Sequence, residues 1–245
     1  MKEFIYSRNA VYETLRAGRR QYFRLQIAQG VQEKGRLSQI RQLALEQNVP
    51  TLSAPRAGLD RIQPGHQGVL LEASGYPYSN LVDILDLARE RGVPPFVLIL
   101  DSLQDPQNLG TLIRTAEAVG VHGVLLPLAR AAQVTPAVVN ASSGACEHLL
   151  IAQMNLSQAI DELRQADVWT VGLDEGAGSR PLSDVRLDGG LAVVVGSEGE
   201  GIRALVRSKC DFLLRLPMGG QVESLNAAVA GSVALYLAYL ARTEK

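Results

Sequence analysis

The chain has 245 residues, of which 47% are hydrophobic and 20% charged, with a formal net charge of −1. This composition is typical of a soluble globular protein with one large domain or two small ones. It argues against a membrane span, because the longest apolar stretch, residues 227–241, is interrupted by Ser232 and is shorter than the roughly 18 residues that a spanning helix needs.

The cysteines and histidines argue against a metal site. Cys146 and Cys210 lie far apart, and the three histidines, His66, His122 and His148, are scattered along the chain. Neither set has the spacing of metal ligands. The first residues are mixed and polar, unlike a secretion signal. We therefore expect a protein of the reducing cytoplasm that holds no metal.

Charge is divided unevenly along the chain. Residues 1–75 contain 11 Lys and Arg against 6 Asp and Glu, a net charge of +5, whereas residues 76–245 contain 13 against 19, a net charge of −6. A basic segment beside an acidic one indicates that one part of the chain meets a polyanion. Four arginines are candidates for this contact, although they fit a solvated helix end equally well: Arg16, Arg19, Arg20 and Arg24.

The first 75 residues have the pattern of a small α/β unit. Apolar residues at helical spacing predict helices over residues 9–17 and 36–47. Short apolar runs between turn residues predict strands over residues 24–28, 49–52 and 67–73. Residues 75–80, Gly-Tyr-Pro-Tyr-Ser-Asn, are predicted to form a linker.

From residue 81 onward, predicted helices and strands alternate, which predicts a parallel β-sheet with helices on both faces. The last helix is apolar around nearly its whole circumference, so we expect it to be buried in the core or against a partner subunit. The predicted helices cover residues 81–91, 109–119, 136–142, 156–166, 202–207 and 224–242, and the predicted strands cover residues 96–101, 123–127, 148–152, 168–173, 191–195 and 212–216.

Three loops at the carboxyl ends of predicted strands carry polar residues suited to a ligand site. In the first loop, Asn108 stands where a helix begins, and Arg114 follows about one and two-thirds turns later at ~3.6 residues per turn. By themselves these two residues also fit a helix cap and a surface charge.

The second loop, residues 196–201, has the sequence Gly-Ser-Glu-Gly-Glu-Gly. Its glycines permit a close approach of backbone N–H groups to a ligand. The spacing matches neither the dinucleotide fingerprint nor the phosphate-binding P-loop. Glu198 and Glu200 would repel a phosphate but suit a cationic or ribose-bearing ligand. A plain glycine-rich turn is the alternative interpretation.

The third loop follows the strand at residues 212–216. Pro217 and a glycine pair end the strand, and Ser224 and Asn226 can cap the free N–H groups of the helix that follows. Because the carboxyl ends of parallel strands share one edge of a sheet, we expect the three loops to gather there.

Together the three loops resemble the signature motifs of the SpoU (TrmH) family, which are S-adenosylmethionine-dependent RNA ribose 2′-O-methyltransferases of the SPOUT class. The N-terminal part is similar to the small L30e-like substrate domain of the rRNA-modifying members, with residues 66–69, His-Gln-Gly-Val, resembling the end of that domain. The motif residues are Asn108-x-Gly110-x-x-x-Arg114, Gly196-x-Glu198-Gly199-x-Gly201, and Pro217-Met218 through Ser224-Leu225-Asn226.

The resemblance implies an α/β protein in two parts. An L30e-like RNA-binding domain would cover residues 1–75, a linker and first helix residues 76–93, and the methyltransferase domain residues 94–245. The methyltransferase domain would have a parallel sheet and a deep trefoil knot, from about residue 191 into the last helix, in which S-adenosylmethionine binds. The family forms homodimers, and the apolar last helix is the expected interface. No metal is implied.

The resemblance also implies roles for individual residues. The arginine that matches Arg114 is the proposed base, although arginine normally stays protonated, with a pKa of roughly 12 or more. Two versions stay open: Arg114 loses its proton transiently, or it stays charged, grips the phosphate and stabilises the developing alkoxide. The other implied catalytic residues are Asn108, Glu198, Ser224 and Asn226, and the implied cofactor-binding residues are Gly196, Leu216, Met218, Ser224 and Leu225.

Within the family, the chain resembles most the enzymes that methylate a guanosine of large-subunit (23S) rRNA. A tRNA 2′-O-methyltransferase and an antibiotic-resistance rRNA methyltransferase are alternatives, but members that act on tRNA guanosine usually lack the N-terminal domain. An RNA-binding or ribosome-assembly protein without catalytic activity is an alternative of another class. The intact motif residues argue against it. A nucleotide-dependent oxidoreductase is disfavoured because the dinucleotide fingerprint is missing.

Overall fold

A computed structural model describes residues 2–129, 131–222 and 224–243 of the chain. The strands are β1 (Lys2–Tyr6), β2 (Tyr22–Ala28), β3 (Thr51–Ala54), β4 (Val69–Ser74), β5 (Phe96–Leu100), β6 (Gly123–Pro127), β7 (Leu150–Met154), β8 (Trp169–Leu173), β9 (Leu191–Val195) and β10 (Phe212–Leu214). The α-helices are α1 (Arg8–Ala17), α2 (Arg36–Glu46), α3 (Arg56–Ile62), α4 (Leu81–Glu90), α5 (Pro106–Ala118), α6 (Pro136–Ala141), α7 (Leu156–Gln165), α8 (Ala204–Lys209) and α9 (Ala227–Thr243).

The chain divides into two compact units. The N-terminal unit consists of Met1–Pro77 and Gln133–His148, and the C-terminal unit consists of Tyr78–Ala132 and Leu149–Lys245. The predicted boundary near residue 75 lies close to the first division. The segment Gln133–His148, however, was predicted to belong to the methyltransferase domain, and it clusters with the N-terminal unit instead.

The N-terminal unit contains a mixed four-stranded sheet in the order β1-β4-β2-β3, in which only β2 and β3 run parallel. The sequence analysis did not predict strand β1 and helix α3, because each of them buries few side chains. Ile5 is the one buried residue of β1, and Leu59 is the one buried residue of α3, so neither segment shows an apolar period. Strand β1 forms by pairing antiparallel with β4 along its whole length.

The segment Gln133–His148 joins the N-terminal unit through α6 and a short 3₁₀-helix, Ala145–His148. Gly144 has a φ of +87°, and a Cβ there would lie 2.5 Å from the Cβ of Glu13 in α1. His148 Nε2 and Glu13 Oε2 are 2.8 Å apart. These contacts join residues more than 130 positions apart, so no local sequence pattern predicts them.

The C-terminal unit contains a six-stranded parallel sheet in the order β10-β8-β9-β5-β6-β7, which confirms the predicted α/β class. The neighbouring strands β5 and β9 are buried along their whole length, as expected for central strands covered on both faces. The loop between β10 and α9 covers residues 215–226, since the strand ends earlier and the helix begins later than predicted.

Helix α9 is buried on one face only. Gly231 allows it to lie close to its neighbours, because a Cβ at that position would stand 2.5 Å from Leu112 of α5 and 2.9 Å from Val195 of β9. The opposite face exposes four apolar side chains at helical spacing: Val229, Val233, Tyr236 and Leu240. The sequence predicted that this helix is buried in the core or against a partner subunit; in the single chain one face packs on the sheet and α5, and the other face is exposed.

Candidate active site

The loops that follow β5, β9 and β10 converge at the carboxyl edge of the parallel sheet. Strands β5 and β9 are neighbours, and β10 lies two positions beyond β9. Parallel strands place all of their carboxyl ends at the same edge, where loops from different parts of the chain can build one site. The sequence predicted this gathering, and side-chain hydrogen bonds join the three loops.

The loop after β9 is closed by its own backbone. The N–H of Ser197 donates to the carbonyl of Gly201 at 3.1 Å, and the N–H of Gly201 donates back to Ser197 at 3.0 Å. A Cβ at Gly196 would lie 2.1 Å from the carbonyl carbon of Gly201. No side chain fits there, so glycine at position 196 is required for the two ends of the loop to meet.

A buried carboxylate anchors this loop to β5. Asp101, which follows β5 directly, is 0% exposed. It accepts hydrogen bonds from the backbone N–H of Arg203 at 2.9 Å and from Arg203 Nε at 2.6 Å. An ion pair with several hydrogen bonds compensates the cost of burying the charge. Sequence analysis assigned Asp101 to the preceding strand and missed this role.

Three motif side chains meet in one hydrogen-bonded cluster. Asn108 Nδ2 donates to Glu198 Oε1 at 3.0 Å, and Asn226 Nδ2 donates to Asn108 Oδ1 at 3.1 Å. Asn226 Nδ2 also donates to the Glu198 carboxylate. The cluster joins one residue from each loop, and Glu198 is the charged acceptor at its centre.

The side chain of Asn108 is available for this cluster because a different residue caps the helix on which it lies. Asp105, not Asn108, caps α5 by accepting from the N–H groups of Gln107 and Asn108 at 3.1 and 3.3 Å. Asn226 acts as both cap and cluster member, since its Oδ1 accepts from the N–H groups of Ala228 and Val229. The simple reading of Asn108 as a helix cap is therefore wrong.

A cleft of about 440 Å³ opens between the glycine loop and the loop before α9. This volume lies within the range of roughly 300–1,000 Å³ that small-molecule sites have. Among the described residues that line it, Asp174, Glu175, Glu198 and Glu200 are acidic. Arg207 is the one cation of that set, and it is paired with Asp174. Four of the predicted cofactor-binding residues also line the cleft: Gly196, Leu216, Ser224 and Leu225.

A second recess of about 360 Å³ lies beside the cleft. Its walls include Asn108 and Asp105, and it shares Ser197, Glu198 and Glu200 with the first cleft. Glu198 therefore borders two spaces at once. An arrangement with two adjacent recesses and a polar cluster between them suits a reaction in which a group passes from one bound molecule to another.

Three of the predicted catalytic and cofactor-binding residues, Asn226, Met218 and Arg114, line neither recess. Met218 is 37% exposed and does not line the cleft. Arg114 is exposed on α5, six residues beyond Asn108, and lines neither recess. The structure thus brings Asn108, Glu198 and Asn226 into direct contact.

The four arginines predicted to contact RNA differ in their surroundings. Arg16 pairs with Glu13 at 3.3 Å and Arg24 pairs with Glu72, and both arginines are exposed. Arg19 is partly buried and donates to the Tyr76 hydroxyl and to backbone carbonyls.

Arg20 does not fit the predicted role in RNA binding. Its side chain is 0% exposed and lies 2.6 Å from Glu147 and 2.9 Å from Glu3. The guanidinium is committed to an internal ion pair, so we drop Arg20 from the RNA contact.

Both cysteines are free thiols held in the protonated form. Burial raises the pKa of Cys146 and of Cys210 to about 12 in each case, so neither is a nucleophile near neutral pH. Among the described residues, no group of three or more His, Cys, Asp or Glu is arranged to hold a metal. Over the same residues, no helix has the length and apolar character needed to cross a membrane.

Sequence comparison identifies both parts of the chain. Residues 95–236 match the profile of the SpoU rRNA Methylase family, and residues 4–79 match the profile described as RNA 2′-O ribose methyltransferase substrate binding. A relative from Bacillus subtilis, named as a TrmH family tRNA/rRNA methyltransferase, is 42% identical over 245 residues, which cover 98% of this chain and 96% of the relative.

Solved structures share the fold over nearly the whole chain. The SpoU methyltransferase AviRb from Streptomyces viridochromogenes has a TM-score of 0.81 at 24% identity, covering 99% of this chain and 90% of that one. An rRNA methyltransferase from Sinorhizobium meliloti with bound AdoMet has a TM-score of 0.78 at 23% identity, covering 97% and 86%. At these identities the likeness is one of fold.

Proposed function

The chain belongs to the SpoU rRNA Methylase family and is a methyltransferase, and from this premise we propose that it transfers a methyl group from S-adenosylmethionine to a ribose 2′-hydroxyl of RNA. The observation that carries the proposal is the Asn108–Glu198–Asn226 cluster between two recesses. A methyl transfer needs two molecules bound side by side, and Glu198 borders both spaces.

The glycine-lined cleft fits the methyl donor. S-adenosylmethionine carries a cationic sulfonium and a ribose, and a cleft lined by carboxylates and by backbone suits both better than it suits a phosphate. Gly196, Leu216, Ser224 and Leu225 would hold it. Met218 does not line the cleft, so we propose no direct contact between Met218 and the donor. The knot that the family resemblance implies stays a prediction.

The second recess would receive the target nucleotide, with its ribose toward Glu198. When bound, S-adenosylmethionine supplies a methyl group on a positively charged sulfur, which is transferred by in-line displacement. The protein must orient the ribose hydroxyl and manage its proton. Asn108 and Asn226 would hold Glu198 in place and orient the ribose, and Ser224 would line the reacting pocket.

Arg114 is proposed to handle the charge that develops on the ribose oxygen. A guanidinium that stays protonated stabilises a developing alkoxide and binds the adjacent phosphate, whereas one that loses its proton transiently acts as a base. Arg114 lines neither recess, and the proposal is that bound RNA completes the site beside it.

A homodimer through α9 is part of the same proposal. Val229, Val233, Tyr236 and Leu240 are each between 41% and 50% exposed and form one stripe along the helix. An exposed apolar stripe of this kind is typical of a surface that another subunit covers. Measuring the molar mass in solution of the chain and of a Val233→Glu, Tyr236→Glu variant tests this: we expect a dimer that the variant disrupts.

Ribosomal RNA is the proposed substrate, most simply a guanosine of large-subunit rRNA. Support comes from the match of residues 4–79 to a substrate-binding domain and from the basic charge of residues 1–75. A tRNA substrate remains the rival, since the relatives are named for both.

Mapping 2′-O-methylation on total RNA, with and without the protein, tests reaction and substrate together. A new site in rRNA supports the proposal in full. A new site in tRNA corrects the substrate, and no new site in any RNA contradicts the activity. In the same assay, Arg114→Ala should retain cofactor binding and lose methylation, with Arg89→Ala on the exposed face of α4 as the control. Full methylation by Arg114→Ala would exclude a catalytic role for this residue.

A further inference from the structure

The arginines of the N-terminal unit fall into two groups. Those near the predicted RNA contact are occupied: Arg16, Arg20 and Arg24 pair with carboxylates, and Arg19 donates to a tyrosine and to carbonyls. Arg41 is likewise paired with Glu33. A phosphate that binds one of these must displace a partner already in place. The arginines without such a partner are therefore the better candidates for a polyanion.

Arg8 and Arg56 are such arginines, and they line one cavity of about 510 Å³. The side chain of Arg56 makes no hydrogen bond or ion pair with any described residue. With the described residues, the Arg8 side chain makes one hydrogen bond, in which Nε donates to the carbonyl of Gln67 at 3.2 Å. This bond fixes the plane of the guanidinium and leaves both terminal NH₂ groups available. None of the five lining residues is acidic; the others are Gly30, Val31 and Gln67.

The cavity is built on an ordered turn. Gln67 has a φ of +55°, and its Oε1 accepts from the backbone N–H of Arg8 at 3.1 Å. Its neighbour His66 is 1% exposed. His66 Nδ1 accepts from the N–H of Gly68 at 2.9 Å, and His66 Nε2 lies 3.0 Å from Asp60 of α3. The same helix carries Arg56, so one buried histidine ties together the turn that orients Arg8 and the helix that carries Arg56.

Two arginines without carboxylate partners among the described residues line one open cavity. They form a favourable site for a phosphate, because each planar guanidinium matches two phosphate oxygens. Gly30 and Val31 also line the cavity, and their backbone N–H groups donate to no described residue. Since the cavity is open and the unit is basic, the anion it suits is one on a polymer surface rather than an enclosed small metabolite.

We propose that the cavity lined by Arg8 and Arg56 binds a phosphodiester group of the substrate RNA, and that this pair, rather than Arg16–Arg24, makes the main backbone contact of the N-terminal unit. The inference rests on the proposed function, because it assumes that RNA is the substrate. It adds a specific contact that orients the RNA and carries no sequence information of its own.

The first test uses inorganic phosphate on the full chain and does not depend on activity. The side-chain Nε–H resonances of arginine are followed by NMR during a phosphate titration at constant ionic strength, with chloride as the balancing anion. We expect saturable shifts of the Arg8 and Arg56 signals and none for Arg61. Arg61 is the matched control because it lies on the same helix, is exposed and does not line the cavity. Equal shifts for all three arginines, or no saturation, would overturn the site.

The second test measures binding of deproteinised ribosomal RNA as a function of salt. Each phosphate contact contributes roughly one unit to the slope of log K against log salt. Arg8→Gln with Arg56→Gln should lower the slope by about two and weaken binding roughly tenfold or more, whereas Arg61→Gln should change neither. Arg8→Lys should keep most of the slope but lose affinity, and thermal unfolding of each variant checks the fold.

The outcomes separate this proposal from the proposed function. If the unaltered chain binds and methylates RNA, and the double variant keeps the full slope, the phosphate site is wrong and the function stands. If the unaltered chain methylates no RNA, the function fails, while the phosphate titration still decides whether the cavity binds the anion.

Discussion

Two carboxylates hold distant segments together in this protein, and they do so under opposite conditions. Glu147 in the N-terminal unit is 0% exposed and pairs with Arg20, which is also 0% exposed. Glu198 in the C-terminal unit is exposed and accepts from two neutral amides, those of Asn108 and Asn226. A buried charge must be neutralised by a partner because its desolvation is costly. An exposed carboxylate among neutral amides is accessible to a ligand. Burial, and not residue type, thus separates the network that stabilises the fold from the one suited to chemistry.

The largest expected effect on stability is at Glu147. Replacing it by alanine leaves Arg20 as a buried charge with only Glu3 opposite it, so we expect the free energy of unfolding to fall by about 3–5 kcal/mol. Denaturant unfolding followed by circular dichroism measures this. Glu33→Ala is the control, because its pair with Arg41 is exposed and should contribute at most about 1 kcal/mol. Similar losses for the two variants would remove the distinction between buried and exposed networks.

This network also marks the limit of prediction from sequence. The alternation of strands and helices predicted the parallel sheet, and the position of the three loops after parallel strands predicted that they would gather at one edge of it. Glu147, the fully buried partner of Arg20, lies 127 residues away in a segment that the sequence analysis assigned to the other domain, and no local pattern indicates the pair. A run of arginines looks the same in sequence whether its members are buried in ion pairs or exposed to solvent.

Substitution of Asp101 should lower the free energy of unfolding by less than substitution of Glu147 and by more than substitution of Glu198. Asp101 is buried like Glu147, but it anchors the loop that carries Glu198. Asp101→Asn removes the charge that Arg203 faces, so we expect a loss of about 1.5–3 kcal/mol in the free energy of unfolding and weaker binding of S-adenosylmethionine. Denaturant unfolding and isothermal titration calorimetry measure the two. A variant that loses stability but binds the donor with unchanged affinity would show that the anchor serves the fold alone.

Substitution of Glu198 should reduce activity strongly and stability little. Glu198→Gln keeps the size of the side chain and removes its charge, so the charge-assisted hydrogen bonds from both asparagines weaken. We expect methyl transfer to fall by roughly 10- to 100-fold while the free energy of unfolding changes by less than about 1 kcal/mol, since the group is exposed. Glu117→Gln makes the same charge change on the exposed surface of α5 and should leave activity intact.

Sequence reasoning located Glu198 but could not rank the residues around it. Gly196 and Leu225 line the cleft as implied, whereas Met218 of the same motif does not. Side-chain direction in the loop of residues 215–226 depends on long-range packing. The same holds for Arg8 and Arg56, which lie 48 positions apart and share one cavity, and no motif joins them.

The smallest effect is expected at a buried group that avoids charge altogether. His122 is 3% exposed, and its Nδ1 accepts from the backbone N–H of Phe96 at 2.9 Å. Burial, followed by the charges of Arg91 and Arg242, lowers the pKa of His122 below its ordinary value.

The neutral ring of His122 is therefore favoured in the folded chain. Its contribution to the free energy of unfolding is complete above about pH 6.5, the usual histidine pKa. That contribution is lost as the pH falls toward the lowered pKa. The free energy of unfolding is measured at about pH 7.5 and at about pH 5.5, and its decrease between the two should be smaller in His122→Gln than in the unaltered chain. An equal pH dependence with and without His122 would mean that this ring accepts a proton as readily in the folded chain as in the unfolded one.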